Sequence, residues 1–129
     1  MAKLTGYLVK PATRTIERVE IEDGRVDPRA SLRDMYAALE CDLVDVVRLD
    51  DGVTVFVDDE GLIRNPRHFC RIASFAAPLA GNLLFLGDPD EDGFTTSCPW
   101  TIDQIGQRVH VCSPYDVGPI WFAVSKVEA

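Results

Sequence analysis

Residues 41–87 read CDLVDVVRLDDGVTVFVDDEGLIRNPRHFCRIASFAAPLAGNLLFLG, and this stretch decides the fold. Two β-rich runs, 43–49 and 53–58, meet at Asp50-Asp51-Gly52, a turn sequence between alternating apolar residues. They form a central hairpin. In the second run Val53, Val55 and Val57 take one face while Thr54 and Phe56 take the other, so both faces are expected to be covered. Residues 81–86, GNLLFL, form a short continuous apolar run of the kind found in a buried strand.

Working outward, residues 4–10 alternate around Tyr7 and Val9, and residues 13–21 alternate again after a break at Pro11-Ala12, which predicts an N-terminal hairpin. Glu22-Asp23-Gly24 closes it as a turn. Asp27-Pro28 is a helix start, with the carboxylate as N-cap and proline pre-set at the first helical position. Leu32, Met35, Tyr36 and Leu39 supply the stripe that packs on a sheet. A second helix ends at Arg108 and begins at Pro99 or Ile102, with Thr101 and Gln104 spaced as a capping box. Residues 118–127 predict a last strand. The expected fold is α+β: a mostly antiparallel sheet of about five to seven strands with two short packed helices.

The order of these elements over residues 4–110 resembles a family of uncharacterised proteins from phages, plasmids and bacterial genomes, defined as a domain of unknown function. The turn Asp59-Glu60-Gly61 matches the family's acidic turn, and Asn65 and Arg67 fall where it carries an Asn and an Arg. Thr101, Asp103, Gln104 and Ile105 resemble its short final helix. The chain departs from the pattern at Pro66, in His68-Phe69-Cys70 and in the tail beyond Val111. The resemblance implies architecture and a mobile-element context, and no activity.

Composition narrows the function classes. A chain of 129 residues is the usual size of one domain and needs neither disulfide nor metal to hold a core. Four cysteines lack any Cys-x-x-Cys spacing, and the start has no long apolar segment, so a reduced cytoplasmic protein is expected, with no membrane span. Thirteen Lys and Arg against 21 Asp and Glu give a net charge of −8, which disfavours direct nucleic-acid binding.

Several residue groups are candidates for function. Asp50, Asp51, Asp58, Asp59 and Glu60 concentrate the negative charge on the central hairpin and offer a protein-interaction surface. Carboxylates so spaced also suit phosphate-backbone mimicry, although Val47 and Leu49 interrupt them. Arg64, Asn65, Arg67 and Arg71 form the small-molecule candidate, since arginine forks suit phosphate or carboxylate. The competing reading is a turn at Asn65-Pro66 with its arginines paired to neighbouring acids. His68 with Cys70 and His110 with Cys112 make two His-x-Cys dyads that would complete a zinc site if they met. Buried cysteines and surface histidines are the preferred reading, so no metal or other cofactor is expected. Residues 88–93, DPDEDG, match the first half of a calcium loop, but position 12 is Pro99 rather than glutamate, and a solvated acidic turn is preferred. No nucleophile motif or phosphate-binding glycine loop is present. The sequence reading is a non-enzymatic accessory protein acting through a protein partner, with a small anionic or nucleotide-like ligand at Arg64–Arg71 as the alternative.

Overall fold

Val53 to Val57 are buried at every position, although successive side chains on a strand point to opposite sides. A strand of this kind needs one packed layer above it and another below. The computed structural model supplies both, and it describes residues 3–49, 52–59, 68–73 and 78–112. In chain order these form β1 (Lys3–Lys10), β2 (Thr15–Glu22), α1 (Pro28–Leu39), β3 (Val44–Arg48), β4 (Val53–Asp58), β5 (Phe69–Ile72), β6 (Leu79–Ala80), β7 (Leu83–Gly87), α2 (Ile102–Arg108) and β8 (Val109–Cys112).

The strands divide into two sheets. One has five strands in the order β2-β1-β7-β4-β3, and the other has three in the order β6-β5-β8. Every pairing in both is antiparallel. The fold class is α+β, as the sequence implies. The strand expected at residues 118–127 lies outside the described residues.

β7 shows how the layers divide. Leu83 and Phe85 enter a core between the two sheets, with Val9, Val53, Val55, Cys70, Ile72, Val109 and Trp100. Leu84 and Leu86 enter a second core under α1, with Leu4, Leu8, Ile21, Phe56, Met35 and Leu39. All four β7 side chains are fully buried. At about 1.5–3 kcal/mol for each large apolar side chain removed from water, this strand anchors both cores.

The helix starts follow their sequence signals. The Asp27 side chain accepts hydrogen bonds from the N–H groups of Arg29 and Ala30, each at 3.1 Å. At α2, the Thr101 Oγ1 accepts from the Gln104 N–H while the Gln104 Oε1 accepts from the Thr101 N–H. The stripe of α1 is rotated from the expected one. Ser31, Met35 and Leu39 are buried, whereas Leu32 is 40% exposed. Asp34 fixes this rotation by accepting a hydrogen bond from the Glu22 N–H of β2 at 2.8 Å, and the small Ser31 lies against the turn at Gly24. No helix among the described residues is long and apolar enough to cross a membrane.

Candidate functional site

The acidic hairpin occupies one border of the five-stranded sheet. β3 is terminal in the strand order, and among the described residues it pairs only with β4. Gly52 makes the turn possible, because its φ of +81° lies in the left-handed region that side chains resist. The Asp59 N–H donates to the Leu43 carbonyl, and the Leu49 N–H donates to the Val53 carbonyl. Hydrogen-bonded and non-hydrogen-bonded pairs alternate along an antiparallel ladder. Asp45 and Val47 therefore direct their backbone groups toward β4, and Val44, Val46 and Arg48 direct theirs away from the sheet.

This outer edge is mostly acidic and partly apolar, with exposed Arg48 at the end of β3. Asp42, Asp45 and Asp59 are exposed, and Leu43 and Val46 are 50% and 44% exposed. The outward Val46 N–H is covered by the Asp45 carboxylate, whose Oδ1 accepts it at 2.8 Å. Asp58 lies opposite Val44 and is half-buried. Asp50, Asp51 and Glu60 lie outside the described residues. The sequence reading grouped the hairpin acids by charge and missed Leu43 and Val46. Their exposure follows from the terminal position of β3, and strand order has no local sequence signal.

The arginine group is only partly described. Arg64, Asn65 and Arg67 lie outside the described residues. Arg71 sits within β5, directly opposite His110 of β8, and is 6% exposed. It is a buried strand residue rather than an exposed member of the Arg64–Arg71 ligand candidate.

The same register separates the two dyads. Cys70 lies opposite Val111 and Ile72 opposite Val109, and all four enter the core between the sheets. Arg71 and His110 occupy the alternate positions and face the other way. His110 therefore does not join Cys70 on one face, so the dyads do not converge on a tetrahedral site. The side chain of Cys112 is outside the described residues, and His68 is exposed. No cluster of three or more His, Cys, Asp or Glu side chains suited to a metal occurs among the described residues.

The calcium-like acids at 88–93 have internal uses. Asp88 Oδ1 accepts the Thr54 hydroxyl at 2.6 Å. Asp90 Oδ1 accepts the N–H groups of Asp92 and Phe94 at 2.9 and 3.0 Å. Its Oδ2 pairs with Arg25, whose guanidinium also lies 5.9 Å from the centre of the Phe94 ring. The sequence reading missed Arg25 and Thr54, which come from remote segments. Asp90→Ala is expected to cost about 1–2 kcal/mol, mostly through the two backbone donors it orphans, since the Arg25 pair is half-exposed and screened. Thermal unfolding checks this, and millimolar calcium is expected to leave the wild-type midpoint unchanged.

Cys98 is half-buried, and burial pushes its pKa up while the Trp100 backbone hydrogen bond opposes that shift. A thiol held protonated is a weak nucleophile at neutral pH.

Comparison with known proteins gives a family and adds no activity. The chain is 35% identical over 113 residues to the uncharacterized protein y4iR of Sinorhizobium fredii (strain NBRC 101917 / NGR234), covering 87% of this chain. It spans 66% of the length of that relative. No solved structure matches it. Residues 4–110 match the model of a domain of unknown function, DUF3846, and the chain belongs to that family.

Proposed function

We propose that this protein is a non-enzymatic accessory protein of mobile-element origin that works by binding a protein partner through its acidic hairpin. The observation that carries this reading is the terminal strand β3, where exposed Leu43 and Val46 stand among Asp42, Asp45 and Asp59. Exposed apolar side chains supply contact area, and the surrounding carboxylates select a basic partner and speed its encounter. The mobile-element origin follows the family resemblance of residues 4–110. The opposite border of the sheet is a comparison surface, where β2 exposes Glu17, Arg18 and Glu20.

The test is affinity capture from cell extract with immobilised wild-type protein, an Asp45→Lys/Asp59→Lys double variant and Glu20→Lys. At about 0.15 M ionic strength, where charges are screened beyond about 8 Å, a partner should be kept by wild type and Glu20→Lys. The double variant should lose it by about tenfold or more. The same retained proteins on all three surfaces would refute the proposal.

A further inference from the structure

We infer that β3 accepts an extended partner segment of alternating apolar and basic residues as a sixth strand of the sheet. This rests on the acidic hairpin being the working surface and goes further by naming how the partner is held. A terminal strand presents backbone donors and acceptors that a second chain can satisfy, and strand addition is an established recognition mode. On β3 those outward groups belong to Val44, Val46 and Arg48, as the Leu43–Asp59 and Leu49–Val53 hydrogen bonds require.

The side chains define the occupant. Val44 and Val46 share the face of Phe56, and Asp45 and Val47 share the face of Val55 and Val57. An added antiparallel or parallel strand would set its own residues beside these in alternation. Its apolar residues would extend the α1 side, beside half-buried Val44 and exposed Val46. Its basic residues would extend the other side, beside exposed Asp45. A like-charged acidic segment is repelled at the same positions.

Asp45 adds a gate. Its carboxylate occupies the Val46 N–H, the central outward donor of the edge. This blunts the edge against indiscriminate pairing. An arriving strand offers its own carbonyl to Val46 and a cation to the released carboxylate, so a neutral strand loses a charge-assisted hydrogen bond that a basic strand replaces.

The experiment uses the full chain and a synthetic peptide of alternating lysine and valine, with amide hydrogen exchange read residue by residue. The peptide should slow exchange at Val44, Val46 and Arg48 by about tenfold or more. A glutamate-valine peptide and a lysine-valine peptide with alternate N-methylated amides should not. Val46→Pro should abolish the effect, because it removes an outward donor and leaves the β3–β4 ladder intact, a position where an edge strand tolerates proline. The N-methylated peptide tests the same point without altering the protein.

Equal protection by the lysine and glutamate peptides would overturn the inference. So would Val44 and Arg48 amides that are already protected in the peptide-free monomer, or that become protected only as the chain dimerises. Lysine-peptide binding that leaves these amides fast would also overturn strand addition, while the acidic-surface reading would stand if extract capture still depended on Asp45 and Asp59. Capture insensitive to those charges would remove the underlying reading as well.

Discussion

Phe85→Ala is expected to destabilise the protein by about 3–5 kcal/mol, the range for deleting a buried phenylalanine. Phe85 is fully buried on β7, between Tyr7 of β1 and Val55 of β4, and its ring centre lies 6.0 Å from that of Trp100. The neighbours belong to three separate segments, so none can move into the space without pulling away from its own strand. A domain of this size has only about 5–15 kcal/mol in total. With a urea slope of about 1–3 kcal/mol/M, the unfolding midpoint should fall by about 2 M. Phe85→Leu should cost about 1–2 kcal/mol, because most of the volume is kept. A loss below about 1 kcal/mol for the alanine variant would contradict the packing between the two sheets.

Gly87→Ala is expected to cost about 3 kcal/mol although it adds a single methyl group, as overpacking does where the backbone cannot yield. The added Cβ would collide with the Thr96 Oγ1 and with the Ser97 carbonyl oxygen. The hydroxyl is held by its 2.7 Å hydrogen bond to the Asp88 carbonyl, and the Ser97 carbonyl is part of a pinned segment. Gly87 N–H donates to the Thr96 carbonyl, Cys98 N–H donates to the Thr5 carbonyl, and Thr5 N–H donates to the Ser97 Oγ. Moving Ser97 therefore disturbs β1 as well as β7. Gly24→Ala is the matched control, since its nearest contact would be Ser31 Oγ at an ordinary 3.7 Å. It should change stability by no more than about 0.5 kcal/mol. Equal midpoints for the two alanine variants in urea unfolding would refute the close-contact account.

The elements with strong local signals could be read from the sequence. The alternation of β1 and β4, the Asp27-Pro28 helix start and the Thr101–Gln104 capping box each depend on residues a few positions apart. The three-stranded sheet could not be read in the same way. β6 has two residues, and β5, FCRI, is buried at all four positions, so neither shows a two-residue period. Met35, Tyr36 and Leu39 of the expected stripe pack on the sheet, but Leu32 is turned out because Asp34 ties α1 to β2, a contact between elements that helical spacing cannot reveal. The acids of the candidate surface were visible as charge. Their arrangement along an edge depended on β7 entering between β1 and β4, which no short window of sequence encodes.

That insertion also has a consequence for synthesis on the ribosome. The β1–β2 and β3–β4 hairpins are complete once Asp58 has been made, yet they have no shared border until Leu83–Gly87 emerges. For the intervening 24 residues the nascent chain carries two separate ribbons, and the strands destined for the middle of the sheet have bare inner borders. Association of these ribbons closes long loops, which slows folding and makes this interval the one most exposed to aggregation. The late strand acts as a keystone, and translation speed between residues 59 and 82 sets how long the chain waits for it.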